Sequence, residues 1–207
     1  MFRKYILLLL PAAGYIRSMH KQDKTYTLQI HEFKQTVKLV DVSPTTRIAY
    51  LDFLSDIPLI WACARELRSK LKELKPSTLV APATGAIPLC FATAHLLNAK
   101  MVILRKDSRG YMQGTHSTPV SSVAALSSEQ LLIEDRYIPL LQDGPVVLLD
   151  SVTTSGSTFK AMNSLMRTIG VKVAAQAVAF IEGDQVVPDN FIHVGRLPIF
   201  TSDPEHE

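Results

Sequence analysis

The chain has 207 residues, of which 47% are hydrophobic and 20% are charged, with a formal net charge of +3. This length and composition fit one α/β domain with a full hydrophobic core and a small additional segment. The charge is too small to indicate nucleic-acid binding, and no basic run or aromatic-rich basic patch occurs. Cys63 and Cys90 both lie in apolar helical patterns. This favours buried free thiols, a reducing compartment and a cytoplasmic location.

Residues 1–24 form an N-terminal extension that we separate from the single domain expected over residues 25–207. Arg3 and Lys4 precede an apolar run at residues 5–10, and small residues follow, as in a signal peptide. The run is too short to span a membrane. Two other interpretations stay open: Met19 is the true start, or the segment is an apolar helix packed on about residues 25–56 or on a partner chain. The non-secretory interpretations are favoured, because the rest of the chain shows no adaptation to an oxidising compartment.

The remaining sequence alternates between short apolar strands and amphipathic helices. Alternating residues at 25–30 and 36–42 predict a hairpin or two edge strands, separate from the main sheet. Periodicity is lost over residues 107–128, which predicts a lid or a disordered segment. The alternation elsewhere predicts a doubly wound parallel sheet. Its predicted elements are helix 57–74, strand 78–81, helix 88–97, strand 101–104, strands 131–134 and 137–141, strand 146–150, helix 159–169, strand 171–181 and strand 197–200.

The most informative segment covers residues 146–158. Four apolar residues predict a strand buried on both faces, Asp150 ends it, and a hydroxyl-rich turn containing Gly156 leads into a helix. Such a turn presents backbone N–H groups, hydroxyls and a helix dipole to an anion. An acid just before it suits a sugar hydroxyl, so the order indicates a phosphorylated sugar. A Walker A loop would have lysine where Ser157 stands. The alternative is an ordinary strand–turn–helix with a hydroxyl N-cap.

This segment resembles the phosphoribosyl-pyrophosphate (PRPP) signature of type I phosphoribosyltransferases. The order of elements over about residues 48–184 resembles the adenine phosphoribosyltransferase-like branch of that family. The resemblance implies an α/β doubly wound parallel sheet with a small N-terminal hood, over about residues 25–56, and a long flexible lid loop at residues 107–128. It also implies a Mg2+-dependent enzyme of purine salvage, which transfers phosphoribose from PRPP to a purine-like nucleobase and forms a homodimer. No nucleic-acid or membrane partner is expected.

The same resemblance implies roles for particular residues. Asp150 and Ser151 would hold the ribose, and Asp150 would also support the transition state. Tyr50 would stack on the base, although a tyrosine packed within the hood is an equally good interpretation. Mg2+ would be bound through PRPP and not directly by the protein. The remaining assignments are Thr154, Ser155, Gly156, Ser157 and Thr158 to the 5-phosphate, and Ala83, Thr84, Gly85, Arg105 and Lys106 to pyrophosphate, with a strained or cis peptide in the 83–85 loop.

Three departures from the family pattern concern the chemistry. Ser151 stands where the signature has a second acid, and Thr84 stands where the adenine branch commonly has arginine. That branch also places a glutamate late in the lid to relay a proton to the purine, whereas residues 110–128 contain no acid. Glu129 is the nearest acid and the candidate for that catalytic role. A lost general base lowers the rate by about a hundred- to ten-thousand-fold.

Two further hypotheses therefore accompany the enzyme hypothesis. The first is a non-catalytic PRPP or nucleotide sensor on the same fold, as in purine-repressor-like members of the family. Those members add a DNA-binding domain, and the residues before the first long helix contain no obvious recognition helix. The second is a structural protein with a vestigial pocket, which would bind no ligand.

Overall fold

The computed structural model describes residues 25–120, 129–184 and 191–201, so the N-terminal extension lies outside the described residues. The strands are β1 (Thr25–Ile30), β2 (Phe33–Ser43), β3 (Thr46–Ala49), β4 (Thr78–Pro82), β5 (Lys100–Leu104), β6 (Thr115–Val120), β7 (Glu129–Glu134), β8 (Val146–Thr153), β9 (Val173–Glu182), β10 (Phe191–Leu197) and β11 (Ile199–Thr201). The helices are α1 (Ile57–Leu71), α2 (Ile87–Leu97), α3 (Ile138–Gln142) and α4 (Ser157–Thr168), with short 3-10 turns at Lys72–Leu74 and Asp135–Tyr137. No helix in these described stretches is long and apolar enough to cross a membrane.

A five-stranded parallel sheet with the order β10-β9-β8-β4-β5 forms the centre of the fold. Successive side chains of a strand point to opposite faces, and both faces of β4 and β8 are buried. Leu79 and Leu149 join the core cluster that contains α1 and α2, whereas Val80 and Leu148 join the cluster that contains α4. Helices therefore cover both faces, which confirms the predicted doubly wound parallel sheet.

Helix α1 begins where the sequence predicts it. The Asp56 side chain accepts a hydrogen bond from the backbone N–H of Leu59 at 3.0 Å, and Pro58 occupies the first turn, where a missing N–H is tolerated. The helix ends at Leu71, and the 3-10 turn at Lys72–Leu74 completes the predicted helical stretch.

A second sheet, with the order β1-β2-β3-β11, lies outside the parallel sheet in the topology. The hairpin predicted from alternation is present as β1 and β2, and His31 adopts a φ of +49° in its turn. β11 pairs with β3 and so brings the far end of the chain into this sheet. The strand predicted at 197–200 is divided at residue 198, so that β10 ends at Leu197 and β11 begins at Ile199.

Three sequence-based assignments are wrong. Residues 115–120 are not loop but β6, which pairs antiparallel with β7 over Thr115–Val120. The predicted strand at 137–141 is helical, because Pro139 occupies the first turn of α3 and fits a helix start. Strand β10 was not predicted over most of its length, because its partly exposed residues show no clear alternation.

Two element boundaries also differ at the signature segment. Strand β8 continues through Ser151 to Thr153, and α4 begins at Ser157, two residues before the predicted start. Asp150 and Ser151 are therefore strand residues with fixed backbones. The loop proper consists of Thr154, Ser155 and Gly156.

Candidate functional site

A cavity of about 200 Å³ opens at the carboxyl ends of β4, β5 and β8. Ligands of open parallel α/β sheets bind at this edge, because loops after neighbouring strands meet there. The lid hairpin, defined as β6 and β7, closes one side of the cavity. The lining residues are Pro82, Ala83, Thr84, Gly85, Ala86, Lys106, Val120, Glu129, Leu131, Asp150, Ser151 and Thr158.

Asp150 is the buried acid of this cavity, and its side chain is 8% exposed. Burial raises the pKa of its carboxyl to about 6, because removal from water disfavours the charged form. The hydrogen bond that the Ser151 backbone N–H donates to Asp150 Oδ1, 2.7 Å long, opposes this rise in pKa, as does attraction to Lys106. A carboxyl with a pKa perturbed by burial in a cleft is typical of a functional site.

The turn at residues 83–85 forms another part of the cavity wall. Its Ala83–Thr84 peptide bond is cis, which agrees with the strained or cis peptide expected in this loop. The Ala83 N–H donates to the Leu104 carbonyl at 2.8 Å, which ties the turn to the end of β5. A Cβ added to Gly85 would lie 3.8 Å from Ser151 Oγ, so this turn lies directly beside β8.

The hydroxyl loop, defined as residues 154–158, connects β8 to α4. Thr154 Oγ1 donates a hydrogen bond to Glu182 Oε2 at 2.8 Å, and Ser155 Oγ donates to Ser157 Oγ at 3.0 Å. Gly156 precedes the helix with a φ of +71°, a conformation in the left-handed region that favours glycine. The first N–H groups of a helix have no intrahelical acceptor and attract anions, so the loop can bind a phosphate group.

Lys106 and Glu129 form an ion pair at the cavity mouth. Lys106 Nζ lies 3.0 Å from Glu129 Oε1, and each side chain is 44% exposed. The pair joins the segment that follows β5 to the first residue of β7 in the lid hairpin. In this state the Lys106 ammonium already has an anionic partner, and Glu129 already has a cationic one.

Residues 52–204 match the family of the phosphoribosyl transferase domain. The chain belongs to this family. The match covers the parallel sheet, the cavity and the lid hairpin.

Two groups of named relatives have different functions. A "Probable purine biosynthesis transcriptional regulator PurR" of Streptococcus pneumoniae is 27% identical over 138 residues, which are 66% of this chain and 50% of that protein. The chain therefore spans half the length of that relative. "Xanthine phosphoribosyltransferase 1" of Clostridium botulinum is 22% identical over 184 residues, which cover 86% of this chain and 92% of that protein.

Solved structures share the fold at low identity. Adenine phosphoribosyltransferase from Trypanosoma brucei, in complex with AMP, pyrophosphate and ribose-5-phosphate, has a TM-score of 0.63 and 18% identity, covering 77% of this chain and 76% of that one. The enzyme from Giardia lamblia, complexed with 9-deazaadenine, has a TM-score of 0.56 and 20% identity, covering 83% and 93%. These similarities establish the common architecture of the phosphoribosyl transferase domain.

In this phosphoribosyl transferase domain most residues predicted for the site lie at or beside one cavity. Eight of them line it: Asp150, Ser151, Thr158, Ala83, Thr84, Gly85, Lys106 and Glu129. The rest of the hydroxyl loop adjoins Thr158. Arg105 does not line the cavity: its backbone pairs with Leu132, and its Nη1 donates to the Tyr111 hydroxyl at 3.2 Å.

Tyr50 is not among the cavity-lining residues. It follows β3, its N–H donates to the Lys38 carbonyl at 2.9 Å, and its side chain is 57% exposed. The proposed stacking of Tyr50 on a base therefore has no supporting contact in this structure.

Five residues of the site were not assigned from the sequence, and two of them, Pro82 and Ala86, flank the assigned turn at residues 83–85. Val120 and Leu131 supply an apolar wall from the lid hairpin, and Glu182 holds Thr154. Leu131 belongs to a predicted strand, and Glu182 directly follows the last long apolar run, so each had a partial signal. Val120 had none, because residues 107–128 show no periodicity.

The cavity offers oxygen ligands but no preformed metal cage. Across residues 25–120, 129–184 and 191–201, no group of three or more His, Cys, Asp or Glu side chains is placed to hold a metal ion. The carboxylates that line the cavity belong to Asp150 and Glu129.

Proposed function

We propose that the protein binds PRPP together with Mg2+ and transfers its phosphoribosyl group to a purine-type base. The observation that carries this proposal is the convergence, at one cavity, of the buried Asp150, the hydroxyl loop at the start of α4 and the turn at residues 83–85. A phosphorylated sugar needs an anion site beside an acceptor for its hydroxyls, and this cavity supplies both. The named xanthine and adenine phosphoribosyltransferase relatives support a purine as the base.

The proposed roles follow from chemistry and placement. The hydroxyl loop, including Ser155, binds the 5-phosphate through its backbone N–H groups and through the hydroxyls of Ser157 and Thr158. Asp150 and Ser151 bind the ribose hydroxyls. Pyrophosphate lies against the turn of Ala83, Thr84 and Gly85, where Lys106 contributes positive charge and Arg105 extends it along the same strand end.

The residues present fit Mg2+ when substrate completes the site. Magnesium binds through one or two carboxylates plus substrate phosphates and retains water ligands. The ion would be held through PRPP, and Asp150 Oδ and Ser151 Oγ are the oxygens that would hold the ribose hydroxyls beside it. When bound, the ion neutralises charge on the departing pyrophosphate.

The residues of this chain then assist a dissociative substitution at C1 of the ribose. The bond from C1 to the pyrophosphate oxygen breaks and the bond from C1 to a base nitrogen forms, through an oxocarbenium-like transition state. Lys106 and the 83–85 turn stabilise the departing anion, and Asp150 orients the ribose. Val120 and Leu131 exclude water from C1. Glu129 accepts the base proton once Lys106 pairs with pyrophosphate instead of with the Glu129 carboxylate.

Transfer is tested with PRPP, MgCl2 and a panel of adenine, guanine, hypoxanthine, xanthine and uracil, by measuring pyrophosphate and nucleotide together. We expect a purine nucleotide to form, and D150N to lose this activity. D143N is the matched control, because Asp143 is an exposed acid in an ion pair with Lys100. Absence of any nucleotide across the panel and across pH would refute the enzyme proposal.

The second candidate is a PRPP or nucleotide sensor without transfer chemistry. Ser151 supplies no second acid, and Glu129 is paired with Lys106. The relative from Streptococcus pneumoniae is named as a transcriptional regulator and not as an enzyme. Calorimetric titration with Mg-PRPP separates the candidates. Saturable binding without turnover supports the sensor, binding with turnover supports the enzyme, and no binding contradicts both.

We further propose that the protein is a cytoplasmic homodimer. The buried, unpaired thiols of Cys63 and Cys90 are consistent with a reducing compartment. Light scattering after size exclusion tests the homodimer, and a monomeric mass at micromolar concentration would contradict it.

A further inference from the structure

A buried acid outside the cavity lining holds the start of the hydroxyl loop. Glu182 is the last residue of β9, and its side chain is 7% exposed. Its Oε2 accepts the hydrogen bond from Thr154 Oγ1 at 2.8 Å. β8 and β9 are parallel neighbours whose last paired residues are Thr153 and Ile181, so the contact lies one residue beyond the paired region on each strand.

This contact determines which hydrogen bonds the Thr154 hydroxyl can make with a ligand. A hydroxyl has one hydrogen to donate, and a carboxylate oxygen only accepts. The hydrogen of Thr154 is therefore used on Glu182, and the side chain offers a phosphate oxygen only lone pairs. Thr154 then serves as an anchor for the loop. The Ser155 hydroxyl is likewise used on Ser157, so the hydroxyls left to donate to an anion are those of Ser157 and Thr158.

The loop is consequently fixed at both ends. Glu182 holds Thr154 where the chain leaves β8, and the contacts between Ser155 and Ser157 hold the entry into α4. A loop fixed before the ligand arrives loses less conformational entropy on binding. Burial of the carboxylate adds to its rigidity, since a buried polar group keeps the partner that satisfies it.

We propose that Glu182 is a positioning residue that preorganises the hydroxyl loop for a phosphate monoester, acting through Thr154. This inference rests on the proposed function, in which the loop binds the 5-phosphate of PRPP. It predicts a loss confined to ligands that carry this phosphate. Pyrophosphate, which binds at the 83–85 turn, is unaffected.

The test is calorimetric titration of the full chain with ribose 5-phosphate and, separately, with magnesium pyrophosphate. The variants are E182M, T154V, the double variant E182M/T154V, and E182Q, which keeps an acceptor for the hydroxyl. E134M is the matched control, because Glu134 is likewise buried at the end of a strand and accepts a hydrogen bond from Arg136 at 2.8 Å. Thermal unfolding of every variant identifies the temperature at which each is fully folded.

We expect E182M and T154V each to weaken ribose 5-phosphate binding by about tenfold, the effect of losing one hydrogen bond to a charged group. The double variant should be no weaker than either single variant, because both remove the same contact. E182Q should bind as tightly as the wild type or more tightly, since it removes a negative charge near the phosphate. Pyrophosphate binding should stay within twofold in all of them, and E134M should change neither affinity.

Two results would overturn the positioning role: ribose 5-phosphate affinity in E182M within twofold of the wild type or above it, or additive losses in the double variant. A higher affinity would mean that the released Thr154 hydroxyl binds phosphate directly. Failure of the proposed function has a different signature, because the wild-type protein itself would then bind neither ribose 5-phosphate nor PRPP.

Discussion

Replacing Asp150 with asparagine should stabilise the folded protein at neutral pH while it removes ligand binding. The pKa of this buried carboxyl is raised from 3.8 to about 6, mainly by desolvation. Between these two values the folded state holds the proton and the unfolded state does not, so stability falls as pH rises through this window. Above about pH 6 the charged form is present in both states, and the full penalty remains.

A rise of roughly two pKa units corresponds to about 3 kcal/mol of lost stability at pH 7.5. Asparagine keeps an oxygen that can accept the hydrogen bond from the Ser151 N–H, and it carries no charge. D150N should therefore be more stable by up to about 3 kcal/mol at pH 7.5, or roughly 6–12 °C in Tm for a chain of this size. The difference should shrink steadily as pH falls toward 4.

Urea and thermal unfolding of both proteins from pH 4 to pH 8 measure this difference. D143N is again the control, because an exposed ion pair contributes at most about 1 kcal/mol. A D150N protein that is no more stable than the wild type at pH 7.5 would refute the argument from burial. An advantage of the same size at pH 4 and at pH 7.5 would refute the assignment of that advantage to the charge.

Three other substitutions or measurements test the site and the core. S151D should strengthen PRPP binding by about tenfold in MgCl2 and not in EDTA, because it supplies a second carboxylate beside the metal-bound PRPP. Equal changes in both buffers would contradict this. E129Q should release Lys106 and tighten PRPP binding severalfold, while nucleotide formation falls by about a hundred-fold or more. An unchanged PRPP affinity together with an unchanged rate of nucleotide formation would contradict the roles of the pair. Burial raises the pKa of both thiols, Cys63 and Cys90, to about 12. Ellman's reagent should therefore titrate no thiol in the native protein and two after denaturation, and a rapid reaction of the native protein would contradict burial.

The sequence predicts the parts of the fold that one segment determines by itself. Strands β4 and β8 are read correctly because both faces are buried, which requires continuous apolar residues. The errors occur where local signals are weak or conflict. β6 contains Pro119 and polar residues, and only its pairing with β7 makes it a strand. At residues 137–141 an apolar run fits both a strand and a helix. Pro139 favours the helix, because proline fits the first turn of α3.

The candidate site divides in the same way. Asp150 and the hydroxyl loop are predictable because a continuous segment places them at the end of one strand. The contacts of Thr154 with Glu182 and of Lys106 with Glu129 join residues 28 and 23 positions apart. Such contacts depend on which strands become neighbours and on where the lid hairpin lies. No spacing within the sequence encodes them. Thr154, Lys106 and Glu129 could be nominated from the sequence but not paired, and Glu182 was not nominated.

The charges around the cavity distinguish the proposed binding of PRPP from the proposed transfer. Among the described residues, Lys106 is the cation that lines the cavity, against the two acids Asp150 and Glu129. Side-chain charge therefore does not by itself attract a strongly anionic ligand, and binding must depend on backbone N–H groups and on the ion that arrives with PRPP. Ligand binding and proton transfer also both draw on the ion pair of Lys106 with Glu129. If pyrophosphate displaces Glu129, that carboxylate becomes available to the base and the domain is equipped for transfer. If the pair persists beside bound PRPP, the same cavity holds its ligand without a proton acceptor, which is the behaviour of a sensor.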